Sequence, residues 1–406
     1  MNANPASAAQ EEIVIPIMIM MFILAFCHSS NAGILVQNSR KDIDACKGNL
    51  DLRLLRTWGG QDEQDENKFF KTPISVAIDK NNLVYICDMH DNCVRIFSGN
   101  GEYVRTIGRR GQGPGDLLGP GKATMAPNGD LLIFEYEGFR LQRFGPDGNS
   151  KRITIIPKAL GWIGITSKNE IAFYSWLNTF RSKRIISFID ETGKTIREIG
   201  YHEDHSNNYI DSEKLMIAMD NKDHFYVANK CTPVIRKYTP KGELQMAVTF
   251  ETPFPIEAQI KMNSAETEIE INRADEGTRT LLKKDSSGNV LLDKRGKLRP
   301  TILNGIGVDD KSRIYVVTPR RILSEEENLA TRISGGVDGI NRKLVNSEIT
   351  ENIDLNRLLV FDENGKICAA SSIKGLCDDI YINGNKLFII DGYIDQRILE
   401  FEMMIK

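Results

Sequence analysis

One short apolar segment recurs six times along the sequence, and this repetition limits the possible folds more than any other feature. Every copy ends in Phe or Tyr four residues after its first position, and four of the six copies begin with Arg. Aliphatic residues that lead to an aromatic ring over five positions are typical of a strand. The copies are Cys93–Phe97, Arg140–Phe144, Arg184–Phe188, Val234–Tyr238, Arg357–Phe361 and Arg397–Phe401.

A second apolar segment precedes each copy, and turn residues lie around both. In most units a further strand-like segment stands before the first turn, and another follows a Gly-containing turn after the aromatic residue. Four strands joined by tight turns form an antiparallel meander. The segments that precede the copies are Leu83–Cys87, Leu131–Phe134, Ile171–Tyr174, Phe225–Ala228, Ile314–Val317 and Leu387–Ile390.

The sixth unit has no fourth strand after Phe401, but a matching segment stands near the N-terminus. Leu55–Gly59 has the same pattern as Val104–Gly108 and Ile196–Gly200, which are fourth strands of other units. We therefore expect an N-terminal strand, within residues 52–59, to complete the last sheet and close a ring. A solenoid built from the same repeats would need polar caps at its ends instead.

The size of the repeat agrees with a ring of six sheets. Two stretches, 252–300 and 319–354, interrupt the pattern. Without them, residues 52–406 give about 45 residues per unit, within the ~40–50 of a propeller blade. The sequence thus predicts an all-β fold: a six-bladed β-propeller of four-stranded antiparallel blades, the last one closed by an N-terminal strand.

Residues 73–120 resemble an NHL repeat. They contain a first strand that begins with Pro73, a second strand that ends at Asp88, a third strand that ends in Phe97 and a Gly-rich link. The sixth unit is a second good copy, with Asp391 and Arg397. The resemblance implies a six-bladed NHL-type propeller of the bacterial envelope. Related propellers include a copper- and zinc-using peptide lyase and calcium-dependent lactonases.

The N-terminus carries a run of fourteen apolar residues, 13–26. A helix needs ~20 residues to cross a bilayer, whereas the core of a secretory signal needs 7–15. Three fates remain open: cleavage after Ala32, lipidation at Cys27, or an uncleaved membrane anchor. We therefore expect residues 1–32 to be a signal or anchor, 33–51 a linker and 52–406 the propeller, located outside the cytoplasm in the cell envelope.

The candidate binding residues all belong to one end of the predicted ring. In a meander, links between second and third strands share that end with links between successive blades, and both insertions emerge there. Aromatic side chains there would stack on a sugar or peptide, and cations would form a basic patch. The candidates are His90, Asp91, Arg109, Arg110, Glu135, Tyr136, Trp176, Asn178, Lys230, Arg320 and Tyr393.

The sequence favours a non-catalytic binding module for a protein, peptide or glycan. No catalytic or metal-binding constellation is evident, because the seven cysteines form no CxxC pair and the chain has five histidines. A metal-dependent propeller enzyme, lactonase-like or peptidyl-lyase-like, is the alternative. The resemblance to the lactonases would place calcium at Glu135, Asn178 and Asn229. The net charge of −3 disfavours a nucleic-acid ligand. We expect a monomer that meets a membrane only through its N-terminal segment.

Overall fold

The computed structural model describes residues 33–60, 63–156, 161–174, 184–200, 215–230, 233–252, 270–273, 277–280, 303–321, 354–393 and 395–406. Strand β1 (Ile34–Asn38), the short helix α1 (Arg40–Ala45) and strand β2 (Leu50–Gly59) come first. Among these residues, no helix is long and apolar enough to cross a membrane.

Twenty-five further strands follow, of which all but two build the blades. Blades 1 and 2 contain β3 (Pro73–Ile78), β4 (Val84–Asp88), β5 (Cys93–Phe97), β6 (Tyr103–Ile107), β7 (Pro120–Met125), β8 (Leu131–Glu135), β9 (Arg140–Phe144) and β10 (Ser150–Ile155). Blades 3 and 4 contain β11 (Trp162–Ile165), β12 (Ile171–Tyr174), β13 (Ile186–Ile189), β14 (Thr195–Ile199), β15 (Leu215–Met219), β16 (Phe225–Asn229), β17 (Val234–Tyr238) and β18 (Leu244–Phe250). The hairpin β19 (Glu270–Arg273) and β20 (Gly277–Thr280) pairs with itself. Blades 5 and 6 contain β21 (Gly305–Val308), β22 (Ile314–Pro319), β23 (Asn356–Phe361), β24 (Ile367–Ile373), β25 (Asp379–Asn383), β26 (Lys386–Asp391) and β27 (Arg397–Ile405).

The fold prediction is confirmed: the chain is an all-β propeller of six antiparallel blades. In the first five blades the strands lie in sequence order from the centre outwards, and in the sixth β25, β26 and β27 are followed by β2 at the outside. An apolar cluster fills each of the six interfaces between neighbouring blades. Each second strand contributes side chains to the apolar clusters on both sides of its blade, because successive side chains of a strand point to opposite faces of the sheet. In β22, for example, Ile314 packs towards blade 4 and Tyr315 towards blade 6.

The N-terminal strand closes the ring, as predicted, and begins two residues earlier than expected. Strand β2 pairs antiparallel with β27 from Leu50 opposite Ile405 to Gly59 opposite Arg397. Within this pairing the indole N–H of Trp58 donates to the buried carboxylate of Glu400 at 3.2 Å. The sixth blade therefore has four strands, although three of them come from the other end of the chain.

Of residues 33–51, for which the sequence predicts a linker, residues 33–49 lie along the rim of blades 4 and 5, and we call them the strap. Residues 50 and 51 belong to β2. Strand β1 pairs in parallel with β18, the outer strand of blade 4. Helix α1 begins with a capping box between Ser39 and Asp42 and buries Ile43 fully between blades 4 and 5. Elements this short are stabilised by tertiary packing rather than by local propensity, so sequence periodicity does not reveal them.

Short turns connect the strands at the other end of the ring, which we call the turn face. Aspartates that open these turns accept backbone N–H groups two and four residues later; they are Asp79, Asp190, Asp220, Asp309 and Asp362. In three blades a tyrosine hydroxyl also donates to the aspartate six residues earlier; these are Tyr85, Tyr226 and Tyr315. The turn face is thus built from polar groups that satisfy one another.

Candidate functional site

The opposite end of the ring, which we call the loop face, carries the links between blades and between second and third strands. Residues 320–355 leave and re-enter blade 5 here, because Pro319 lies opposite Asn356 and the Arg320 N–H donates to the Leu355 carbonyl at 2.7 Å. Residues 251–304 join the end of β18 to the start of β21 on the same face. Both insertions therefore start from the loop face.

His90 and Asp91 lie where the chain enters blade 1. The imidazole Nδ1 of His90 is 2.6 Å from the hydroxyl of Thr72. Asp91 accepts from the Lys71 ammonium at 2.6 Å and from the Arg95 guanidinium. Burial raises the pKa of Asp91, but the hydrogen bonds from Lys71 and Arg95 outweigh burial and lower it overall. These contacts fix the entry of the chain into the blade.

A buried acid at the end of the second strand fastens the same entry. Asp88 accepts the backbone N–H groups of Lys71 and Thr72 at 2.8 Å each, and the Arg95 guanidinium at 2.9 Å. Its pKa is raised nevertheless, because burial outweighs these favourable contacts. The acid of the NHL-like pattern is therefore in a buried structural pair here, with an arginine two residues beyond the start of the third strand.

Glu135 has the equivalent position in blade 2. Its carboxylate accepts from Arg140 Nε at 2.8 Å, from the Gln142 amide at 2.9 Å and from the Leu118 backbone N–H at 2.7 Å. Arg140 in turn donates to the Asp116 carbonyl at 2.9 Å. All of these partners belong to blade 2 or to the link that enters it, so the described contacts of Glu135 are structural.

The four candidate cations belong to three separate parts of the loop face. Arg109 pairs with Asp116 at 2.9 Å, and Arg320 pairs with Asp354 at the base of the second insertion. Lys230 lies close enough to Asp378 for its charge to offset part of the rise that burial causes in the pKa of that carboxyl. The four are Arg109 and Arg110 in the link between blades 1 and 2, Lys230 in blade 4 and Arg320 in blade 5.

The six first strands surround a central channel of about 590 Å³. Of the residues in these strands, which the structure describes in full, only Lys122 and Asp379 carry a charge. Lys122 Nζ lies 2.8 Å from Asp379 Oδ2. Since they belong to blades 2 and 6, their side chains meet across blade 1. A pair of charges in otherwise apolar inner strands was visible in the sequence, and the sequence analysis missed it.

Two tyrosines lie near this ion pair at the loop-face mouth of the channel. The ring of Tyr136 occupies the space that a side chain at Gly121 would need, and it packs edge-on against Phe134 with the ring centroids 5.2 Å apart. Tyr393 is 36% exposed. Burial by itself lowers the pKa of Lys122, but Asp379 and these two tyrosines raise it overall. The ammonium group therefore stays charged at neutral pH.

The loop that carries Tyr393 is fixed to its neighbours. The N–H groups of Gly392 and Tyr393 donate to Asp378 Oδ2 at 2.9 and 3.1 Å. A side chain at Gly392 would collide with the carbonyl oxygen of Pro73, the first residue of blade 1. Burial raises the pKa of Asp378 in spite of the two donors. Tyr393 is thus presented from a rigid backbone.

In blade 6 the acid at the end of the second strand has different neighbours from those in blades 1 and 2. Asp391 is buried beside a second buried acid, Asp395, and both lie near Arg397, at 3.5 and 3.1 Å. Burial, followed by the hydrogen bond and the repulsion from Asp395, raises the pKa of Asp391 well above its usual range. This blade therefore holds a pair of neighbouring carboxyls, and the backbone N–H that Asp391 accepts, at 3.4 Å, comes from Asp395 itself rather than from the link that enters the blade.

Phe139 is an exposed aromatic residue of the loop face that the sequence analysis also missed. It has a φ of 45° and is 46% exposed. The residues in the equivalent position, directly before the third strand, are Asn92 in blade 1 and Gln396 in blade 6, with φ of 55° and 54°. A left-handed backbone is unfavourable for a bulky residue, so an aromatic ring there stands out.

No group of three potential metal ligands occurs among the residues with described side chains. Trp176, Asn178 and the lipidation candidate Cys27 lie outside the described residues. Asn229 ends strand β16 on the loop face. The third residue of the expected calcium site is Glu135, whose carboxylate accepts hydrogen bonds from Arg140, Gln142 and the Leu118 backbone N–H.

Comparison with known proteins supports the fold. A family described as "6-bladed beta-propeller" matches residues 65–252, the stretch that forms blades 1 to 4. A search of curated proteins finds no match. Among solved structures, a Bacteroides fragilis protein described as exported is 12% identical, with a TM-score of 0.52 over 92% of this chain and 100% of that one.

Two further solved structures are similar over most of their length. A Bacteroides vulgatus protein is 10% identical, with a TM-score of 0.52 over 88% of this chain and 98% of that one. The virginiamycin B lyase of Staphylococcus aureus is 12% identical, with a TM-score of 0.43 over 87% and 99% of the two chains. At these identities the likeness concerns architecture alone, and by that architecture the chain is a six-bladed β-propeller.

Proposed function

We propose that the protein is a non-catalytic binding module that holds its ligand on the loop face. One observation carries this proposal: the loop face gathers a partly exposed ion pair of the inner strands, two nearby tyrosines and the starts of both insertions. Binding sites are commonly built on loops that a rigid scaffold positions. A protein, peptide or glycan is the class of ligand for which such a surface is suited.

The contacts of Glu135 favour binding over the calcium-dependent enzyme. A lactonase-like centre would need this carboxylate as a metal ligand. In this chain its two oxygens accept from Arg140, Gln142 and the Leu118 backbone, and Arg140 neutralises its charge. Breaking a buried pair of this kind costs several kcal/mol, on the order of 3–5.

We also propose that the protein is an NHL-type propeller that works outside the cytoplasm as a monomer. The buried pairs between the second-strand acid and the first residue of the third strand in blades 2 and 6 support the NHL type. The apolar run 13–26 supports export, as does the likeness to the Bacteroides fragilis protein described as exported. The net charge of −3 remains the argument against a nucleic-acid partner.

Site-specific photo-cross-linking in cells that produce the full chain tests the binding face. A photoreactive amino acid replaces the exposed residue Arg109 on the loop face, or, as a matched control, the exposed residue Lys80 on the turn face. We expect a light-dependent adduct from the loop-face position and none from the control. Adducts from the turn face alone would contradict the proposal.

A further inference from the structure

The Lys122–Asp379 pair is the one charged feature of the inner strands, and stability alone does not account for it. Four blades build their first strands without any charge. Taking a lysine and a carboxylate out of water offsets much of their attraction, so an apolar pair of similar volume is often at least as stable. A ring that closes without charges in four blades has no structural need for them in the other two.

The pair is enclosed by the propeller and still reachable from the channel. The side chain of Lys122 is 23% exposed and that of Asp379 is 34% exposed. Both line the channel, whose volume of about 590 Å³ lies within the ~300–1,000 Å³ of ordinary small-molecule pockets. The channel therefore has room for a ligand beside the ion pair.

The hydrogen-bonding capacity of Lys122 is only partly used. Asp379 accepts from the ammonium with Oδ2 and from the Ile380 backbone N–H, at 2.9 Å, with Oδ1. An ammonium has three donors, and among the described residues Asp379 is the one hydrogen-bond acceptor of Lys122. Two N–H donors of Lys122 thus remain for a ligand. The carboxylate of Asp379 holds the ammonium group in place and is itself held by a backbone N–H of its own strand.

The balance of charge at the mouth favours an uncharged ligand rich in oxygen. An anionic ligand on Lys122 would meet the negative charge of Asp379, and a cationic ligand on Asp379 would meet Lys122. Hydroxyl and carbonyl oxygens accept from an ammonium without either penalty. The rings of Tyr136 and Tyr393 add apolar faces close to these polar groups, a combination that suits a sugar ring.

We propose that the channel mouth binds an uncharged carbohydrate, with the Lys122–Asp379 pair as its recognition element. This inference rests on the proposed loop-face binding and names its ligand class. Lys122 donates to sugar hydroxyls, Asp379 positions Lys122, and Tyr136 and Tyr393 flank the ring. A neutral peptide is the competing occupant that the experiment separates from a sugar.

Titration calorimetry with the full chain tests the proposal. The probes are a panel of neutral mono- to tetrasaccharides and, for comparison, N-acetylated trialanine amide. We expect saturable binding of at least one saccharide and a weakening of about tenfold in Lys122→Met, since one hydrogen bond to a charged group is lost. Lys80→Met, the same exchange at an exposed position on the turn face, is the matched control and should bind as the parent does.

A second measurement keeps the proposal testable if Lys122→Met does not fold. A saccharide that carries a diazirine is cross-linked to the unaltered protein, and the labelled peptides are identified by mass spectrometry. Label within residues 120–125 or 379–383, or on Tyr136 or Tyr393, supports the proposal. Label elsewhere, binding of the peptide alone, or no saccharide binding would overturn it. None of these results would contradict the proposed function, which is tested separately by the loop-face cross-links.

Discussion

At the scale of single residues, the acid that ends the second strand shows how one position acquires different properties. Asp88 and Glu135 accept backbone N–H groups from the link that enters their blade. Asp391 instead faces Asp395, and its pKa is raised well above the usual range. The same fold position thus holds a carboxylate bound by the entering link in two blades and a carboxyl beside a second acid in the third.

The raised pKa of Asp391 predicts how stability changes with pH. A folded-state pKa above the unfolded value means that the folded protein holds the proton more tightly, so this contribution is present at low pH and is lost as pH rises. We expect Asp391→Asn to be more stable than the parent at pH 8, with a smaller difference at pH 5, because the amide needs no proton.

Urea unfolding at the two pH values measures this effect. Asp220→Asn is the control of opposite sign, because hydrogen bonds and the nearby His224 hold the pKa of Asp220 below its usual range. Its stabilising contribution is present at neutral pH and is lost as pH falls, so this variant should be less stable at both pH values. If Asp391→Asn were less stable at pH 8, Asp391 would be a charged partner of Arg397.

Phe139 provides a second prediction at this scale. A left-handed backbone costs a non-Gly residue roughly 1–2 kcal/mol, and asparagine tolerates it better. We expect Phe139→Asn to raise the free energy of unfolding by about 1 kcal/mol, measured by urea denaturation. Phe139→Ala removes the ring and keeps the backbone strain, so its free energy of unfolding should not rise above that of the parent. Equal stability of the two variants would show that the backbone is not strained.

At the scale of elements, the strap is the part of the fold whose contribution is easiest to isolate. Ile43 of α1 is fully buried between blades 4 and 5, whereas Ile34 of β1 is 71% exposed. Removal of a buried isoleucine side chain to Ala typically costs about 2–5 kcal/mol. We expect a loss in this range for Ile43→Ala and less than about 0.5 kcal/mol for Ile34→Ala.

Thermal and urea unfolding of both variants measure the difference. Similar values for the two would mean that the strap does not brace the ring. A loss confined to Ile43→Ala would show that the N-terminal segment stabilises the same sector of blades from which both insertions start.

Elements also show how far the sequence predicts this structure. The six aromatic-ended strands, their partners and the closing strand were predictable, because each has a local pattern and repeats it. The strap could not be predicted from the sequence, because β1 and α1 are stabilised by blades that lie more than 200 residues away along the chain. The Lys122–Asp379 pair escaped for a related reason: the two residues lie in separate blades and meet only when the ring is closed.

At the scale of the whole molecule, the path of β1 shows on which face of the propeller the described chain begins. Gly33 lies against the backbone of Leu244 and Gln245, directly after a turn of blade 4. Asn38, at the other end of β1, donates to the Gly365 carbonyl in the next turn, at 3.0 Å. The described chain therefore starts at the rim of the turn face, away from the channel mouth that carries Lys122.

This geometry predicts the orientation of an anchored protein. Residues 27–32 separate the apolar run from Gly33, and six residues span at most about 20 Å. If the run or a lipid on Cys27 holds the protein to a membrane, the turn face is the nearer one and the loop face points away. A ligand of the loop face would then come from the aqueous side rather than from the bilayer.

Energy transfer from the full chain on phospholipid vesicles checks this orientation. A dye is attached through an encoded azide-bearing amino acid at Lys80 on the turn face or at Arg109 on the loop face, and the acceptor is a labelled lipid headgroup. Both positions are exposed, so the two dyes differ mainly in their distance from the bilayer. We expect stronger transfer from Lys80, because the strap leads the chain towards the membrane on that side. Equal transfer, stronger transfer from Arg109 or no association with vesicles would show that the N-terminal segment does not orient the propeller in this way.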